Sequence, residues 1–316
     1  MKIIRNIVLL LTLSVLIPLL SCNERKSDNH RKGKLKIVCT TGMISDIVRE
    51  VAGDETDVYG LMGAGIDPHQ YKATPNDVIA LFDSDIIFYN GLHLEAKMAE
   101  LFYRMAKTRT TVAISDNIPE SELLSPEGFS GMHDPHIWFD VLLWKYAVER
   151  VAIALSKKIP EKKNVFTNNK KLYILKLDTL QNYILQRISE VPPEQRILIT
   201  AHDAFGYFGK RYGFRVVGLQ GISTQSEAGT GDVQKLVNLI VSHRINAIFI
   251  ESSVPLRNIK AVQEAVKYKG GYVRIGGELY SDAMGDSGTF NGTYIGMLTH
   301  NINTIVDALK GKENGK

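Results

Sequence analysis

The sequence predicts an α/β protein of two lobes, each a mainly parallel four-stranded sheet flanked by helices, joined by one long rigid helix. Three observations predict it. Short β-rich runs alternate with stretches of helical periodicity, the pattern of parallel strands joined by crossover helices. The plan occurs twice, with no residue-level repeat between the two passes. Between the passes, Asn164–Glu190 contains neither glycine nor proline. A chain of 316 residues is also longer than one ordinary core sustains.

The N-terminus stands apart from the fold. Lys2 and Arg5 open it, and Ile7–Leu20 is apolar except for Thr12, Ser14 and Pro18. The stretch ends in Leu19-Leu20-Ser21-Cys22, so residues 1–21 read as a secretory signal peptide rather than a membrane helix. The cysteine after the cut resembles a bacterial lipobox. That resemblance implies lipidation of Cys22 and a mature protein anchored to the bacterial membrane, on a periplasmic or outer cell face. Each buried methylene of the lipid contributes about 0.8 kcal/mol to attachment. Asn23–Lys34 is polar, charged or glycine and reads, with Cys22, as a flexible tether. Cys39 has no disulfide partner left in the mature chain and is expected in the core.

The first pass offers strands at Lys36–Thr40, Asp57–Met62, Asp85–Tyr89 and Thr111–Ile114. Helices are expected at Ile44–Ala52, Pro75–Phe82, Leu94–Ala106 and Val141–Lys158. Thr74-Pro75 places a capping residue before a proline at the first helical position. In Asn164–Glu190, Phe166, Tyr173, Leu177, Leu180, Ile184 and Ile188 recur at helical spacing, and Pro192 and Pro193 end the helix. At 1.5 Å per residue it would be roughly 40 Å long, which resists a wide hinge motion. The second pass offers strands at Arg196–Thr200, Phe214–Gly218, Ala247–Ile250 and Tyr272–Ile275. Its helices are Asp232–Ser242, Leu256–Tyr268 and Tyr294–Leu309. The expected organisation is an N-terminal lobe at 35–163, a linking helix at 164–191 and a C-terminal lobe at 192–312.

Gly131–Asp140 packs two imidazoles and two carboxylates into one turn before a helix. Pro135 holds Asp134 extended and keeps the helix from starting early. A His-x-x-His on a loop is weak evidence for a metal by itself. Other histidines lie in matching places, however. His69 follows the second strand in Gly63–Tyr71, His202 follows the strand ending at Thr200, and Asp282 follows the last strand. With His136, all four sit on loops at the carboxyl ends of predicted strands, where open α/β sheets bind ligands. Two come from each pass. If the lobes face each other, three imidazoles and one carboxylate could surround one divalent cation. That donor set suits Zn²⁺, and Mn²⁺ where the carboxylate is bidentate.

These residues carry a family resemblance over nearly the whole mature chain. Asp67-Pro68-His69, Asp134-Pro135-His136-Ile137-Trp138, Thr200–Tyr212 and Glu278–Gly285 with Gly292-Thr293-Tyr294 resemble the zinc- and manganese-binding lipoproteins that serve as solute receptors for ABC importers. The resemblance implies His69, His136, His202 and Asp282 as metal ligands, a small closure on binding, and delivery to an ABC-type metal permease. Two departures stand out. Ser115–Met132 is short and free of histidine, unlike the His-rich loop of many zinc members. The third ligand is His202, where many manganese members carry glutamate. The cargo expected is one divalent transition metal, Mn²⁺ or Zn²⁺.

Asp140 and Glu251 are candidates to orient ligating imidazoles, since bound histidines usually donate their other nitrogen to a carboxylate or carbonyl. Asp140 could equally cap the helix that follows. His133 reads as a rim residue, and His93, His243 and His300 as solvated helical positions. Gly229-Thr230-Gly231 reads as a helix N-terminal turn. The net charge of +4 is spread over amphipathic helices, which argues against nucleic acid as a partner. A monomer without enzymatic activity is expected. The alternatives are an exported zinc-dependent hydrolase, with Glu251 or Asp203 as base, and a surface adhesin with a structural metal. The sequence has no His-Glu-x-x-His for the first and no stalk or repeat array for the second.

Overall fold

The computed structural model describes residues 34–126 and 131–311. The signal peptide, Cys22 and all of the tether but Lys34 lie outside the described residues. Strands β1 (Leu35–Cys39), β2 (Thr56–Gly60), β3 (Ile86–Tyr89) and β4 (Thr110–Ala113) form a parallel sheet in the order β2-β1-β3-β4. Val38 of β1 sits opposite Tyr59 on one side and Ile87 on the other. Helices cover both faces, so central positions such as Cys39, Ile86, Ile87 and Phe88 are all buried. Burial pushes the Cys39 thiol up to about 12, which makes it an inert core residue.

The helices of this half are α1 (Gly42–Ala52), α2 (Pro75–Asp83), α3 (Ala99–Met105) and α4 (Val141–Lys158). Pro75 fills the first turn of α2, and Thr74 and Asp77 cap it reciprocally. The helix expected from Leu94 starts later, as a 3₁₀ turn at Ala96–Met98 followed by α3. The cause lies just upstream. Leu92 and His93 take left-handed φ of 52° and 63°. The Glu95 carboxylate accepts the Asn90 N–H and the Thr40 hydroxyl, tying this segment to the sheet.

Helix α5 (Lys163–Ile188) is the long connection, and it buries Phe166, Tyr173, Leu177, Leu180, Ile184 and Ile188. It packs along α1 and α4. Ion pairs Lys170–Glu149, Lys176–Glu50 and Lys145–Asp178 tie its polar flanks to those helices.

The second half runs β5 (Ile197–His202), α6 (Gly206–Tyr212), β6 (Arg215–Gln220), α7 (Thr230–His243), β7 (Ala247–Glu251), α8 (Arg257–Tyr268), β8 (Arg274–Leu279) and α9 (Tyr294–Leu309). The four expected strands are hydrogen-bonded as two parallel pairs, β5–β6 and β7–β8, with β5 beside β7. Strand β8 continues past the predicted end at Ile275. Gly276 lies so close to the Phe249 ring that a Cβ there would fall 2.8 Å from it, so this glycine serves packing inside the strand. Helix α6 was not expected. It is short and ends at Gly213 in the left-handed conformation.

One apolar core runs from Ile37 through α1, α4, α5 and α6 to α9, and it includes Leu198, Phe249 and Leu279 of the second half. Separate clusters lie under α7 and α8 (Leu236, Ile240, Ile248, Val262) and under α2 and α3 (Leu81, Ile87, Phe102). The two halves therefore keep their own sheets but share a core along α5. Among the described residues, no helix is long and apolar enough to cross a membrane.

Candidate metal centre

His69 follows β2 in a turn built by Gly63, Gly65 and Pro68, and the Asp67 carboxylate accepts its backbone N–H at 2.8 Å. His136 leaves a second Asp-Pro-His turn between β4 and α4. Here Asp134 Oδ1 accepts both the backbone N–H, at 2.9 Å, and the ring Nδ1–H, at 2.7 Å. Asn90 Nδ2 donates to the Pro135 carbonyl at 3.0 Å and Tyr207 Oη to the Asp134 carbonyl at 2.9 Å, which fixes this turn from both halves. His202 is the last residue of β5. Glu251, the last of β7, takes its N–H on Oε1 at 2.9 Å and its ring Nδ1–H on Oε2 at 2.6 Å. Asp282 lies three residues beyond β8, and Trp138 Nε1 donates to the preceding Ser281 carbonyl at 2.9 Å.

The parallel strands thus deliver four buried side chains to one point, His69, His136, His202 and Asp282, with donor atoms all within 4.8 Å of one another. The Nε2 atoms of His69 and His136 are 3.2 Å apart. Asp282 Oδ2 is 3.2 Å from His202 Nε2 and 3.7 Å from His69 Nε2, and Oδ1 is 3.4 Å from His136 Nε2. Metal–nitrogen bonds of about 2.0–2.1 Å at tetrahedral angles place neighbouring donors about 3.3–3.4 Å apart, so these separations fit one small cation.

The proton positions follow from the partners. A carboxylate only accepts, so Nδ1 of His136 and of His202 carries hydrogen and Nε2 turns inward. His202 Nε2 and both Asp282 oxygens are buried without a hydrogen-bond partner, although they face each other. Lone pair meets lone pair there unless a cation or an added proton lies between. For His136, burial opposes the charged ring, but Asp134 and Asp282 outweigh it and push its pKa up to about 9. Burial likewise opposes charge on His202, and Glu251 with Asp282 raises it well above the ordinary imidazole value. His69 has no carboxylate on Nδ1, and burial outweighs the nearby Asp282 and lowers it to about 3. Burial works against ionised Asp282, but the neighbouring His202 and His136 rings hold it well below the usual carboxylate range.

Asp140 does not reach an imidazole. Its Oδ1 caps α4 by accepting from Leu142 and Leu143 N–H, and its Oδ2 pairs with Arg211 at 2.7 Å. The carboxylate on His136 is Asp134 instead. Its signal in the sequence is an acid two residues before a histidine, held extended by proline. Glu251 holds His202 as described. His133 stands at the rim against Ser125, and His93 and His243 are exposed. His300, expected to be solvated, is half-buried at 2.9 Å from the Glu278 carbonyl, its ring tilted against that of Tyr280. Gly229-Thr230-Gly231 opens α7, with Asp232 accepting the Gly229 N–H.

Residues 37–308 match the family model ZnuA, zinc-uptake complex component A periplasmic. The chain is 51% identical over 282 residues to the zinc-binding protein TroA of Treponema pallidum (strain Nichols), covering 89% of this chain and 91% of that protein. The solved structure of that periplasmic zinc-binding protein superposes with a TM-score of 0.86, covering 88% of this chain and 99% of the other. Identity is 44% over 292 residues to the manganese-binding lipoprotein MntA of Bacillus subtilis (strain 168), covering 92% and 95% of the two chains. It is 31% over 307 residues to the manganese ABC transporter substrate-binding lipoprotein PsaA of Streptococcus pneumoniae serotype 4 (strain ATCC BAA-334 / TIGR4), covering 95% and 97%. Sequence and architecture agree, and the chain belongs to the family of the periplasmic zinc-uptake complex component A.

Proposed function

We propose that this chain is an extracytoplasmic metal receptor in which His69, His136, His202 and Asp282 grip one divalent transition metal, zinc or manganese, as cargo. An ABC-type permease then takes the metal from it. The observation that carries this reading is the convergence of four buried donors from both halves. Four protein donors complete a tetrahedral sphere, which suits capture and transport. Catalytic zinc keeps a position open for substrate. Glu251, the base a hydrolase would need, is committed to His202 through both oxygens.

The names of the relatives support both metals: a zinc-binding protein, a manganese-binding lipoprotein and a manganese ABC transporter lipoprotein. In this reading Cys22 carries the lipid that holds the exported monomer at the membrane. Residues 35–163 and 192–312 act as lobes that close slightly about the 164–191 connection.

The test is metal analysis of the mature protein after dialysis against equal zinc and manganese, beside a His69→Ala, His202→Ala double variant. One equivalent in the parent and none in the variant is expected, and the element retained gives the preference. Equal metal in both proteins, or none in either, removes the site.

A further inference from the structure

The four donors are not held alike. His136 is fixed through its ring by Asp134, and its turn is bound by Tyr207 Oη of the second half. Trp138, two residues on, reaches across to the Ser281 carbonyl beside Asp282, and Tyr294 Oη donates in turn to the Trp138 carbonyl at 2.8 Å. His202 is fixed through its ring by Glu251. These contacts form a buried floor, with Trp138 1% exposed and Ser281 fully buried.

His69 lacks such support. Among the described residues no carboxylate hydrogen-bonds its Nδ1. Apart from the approach of its Nε2 to Asp282 at 3.7 Å, it is tied to the second half through its backbone, by the loop between β6 and α7. Gln225 Nε2 donates to the His69 carbonyl at 3.3 Å, and the Thr224 hydroxyl donates to Asp67 Oδ2 at 2.5 Å. Gln70 Nε2 donates to the Thr224 carbonyl at 2.7 Å, while Lys97 steadies Gln70 from the first half. Gln70 and Gln225 are exposed and Asp67 is half-buried, so this bridge reaches solvent at its glutamines although Thr224 itself is buried, whereas the floor is closed to it.

We propose that the Asp67–Thr224–Gln225 bridge is the latch of the site and His69 the ligand that leaves first. This rests on the reading of His69 as a metal ligand. Opening at the bridge moves the turn 67–70 away from the loop 221–229 while His136, His202 and Asp282 stay joined by the floor. The permease then needs to break only this bridge, reached through exposed Gln225, to turn a four-donor site into a three-donor one. Thr224 is a positioning residue. It touches no metal donor and acts on His69 through Asp67, whose Oδ1 accepts the His69 N–H.

The test is the rate at which bound zinc passes from the mature chain to excess chelator, followed by stopped flow. Thr224→Val keeps the shape of the side chain and removes the donor. It should speed dissociation about tenfold or more, the scale of a lost hydrogen bond to a charged group, with stoichiometry still one. Thr224→Ser, which restores the hydroxyl, should return the rate to within about twofold of the parent. In a His69→Ala background Thr224→Val should add nothing further, because the bridge would act through a ligand no longer present. A Thr224→Val rate equal to the parent's overturns the latch. So does a Thr224→Ser variant as fast as Thr224→Val, or a full Thr224→Val effect persisting without His69. A parent that binds no zinc or manganese fails earlier, at the metal site itself, and removes the latch with it.

Discussion

His136 and His202 come from opposite halves yet are built alike, each giving Nδ1–H to a carboxylate and aiming Nε2 at Asp282. With no metal bound, this arrangement favours a proton on each inner nitrogen. His136 then titrates near 9, and His202 well above the ordinary value of 6.5. At neutral pH a metal must displace one proton from each ring, so affinity rises with pH toward about 9 and falls in acid. The sign for the metal-free fold is opposite. Its raised histidine pKa contributes stability that is complete below 6.5 and lost as pH rises through about 9. Titration calorimetry at pH 7 in two buffers of different ionisation heat should show one proton released per ring, two in all. Asp134→Asn should lower that count, because His136 loses the partner that charges it. Release of no protons by the parent would contradict the assignment.

The four converging residues were legible because each follows a predicted strand, and parallel strands end at one edge. The orienting acids were less so. Glu251 was legible from its place at a strand end, but the sequence reading chose Asp140 and passed over Asp134, which holds the His136 ring. Asp-Pro-His occurs twice, and only at 134–136 does the acid take the ring. At 67–69 the corresponding carboxylate is engaged by Thr224, 157 positions away in sequence, which local spacing does not reveal.

At the scale of elements, α5 is the organising member. Its apolar stripe was readable at helical spacing, and the structure buries the same six residues. Leu177 is fully buried there, whereas Leu175 is 62% exposed. Leu177→Ala should cost about 2–5 kcal/mol in urea unfolding. Leu175→Ala should stay within about 0.5 kcal/mol. Similar losses at both positions would mean that the stripe is not what holds the helix. Helices α4 and α9 coincide with the predicted spans, since Asp140 and Thr293 cap their starts and long amphipathic runs leave little ambiguity. The misses have local causes. Gly276-Gly277 looks like the end of a strand, yet Gly276 is there to admit the Phe249 ring. Helix α6 has seven residues, two of them glycine, too few for a periodic signal. Gly209 is needed where α6 meets Phe214, whose carbonyl would lie 2.8 Å from an added Cβ.

At the scale of the molecule, the shared core decides how the site can open. Residues from both sheets meet α5 in one apolar cluster, so a wide separation of the halves would expose that core. The same long helix that was legible in sequence as a brake on hinge motion is buried along its apolar stripe against both halves. Arg187 also pairs with Asp307, and Tyr183 Oη donates to Asn303 of α9. What the sequence could not show is that the halves share one interior, because that depends on α9 returning to pack beside α5. The shared core opposes a wide separation and accords with the proposed small motion at the mouth.

In the proposed function both halves hold one metal ion between them. X-ray absorption at the metal edge of the loaded protein tests it most directly. The expected spectrum has three imidazoles, identified by their multiple scattering, and a carboxylate oxygen at about 2.0–2.2 Å. A sulfur neighbour, or a shell of water oxygens with fewer than three imidazoles, would contradict it.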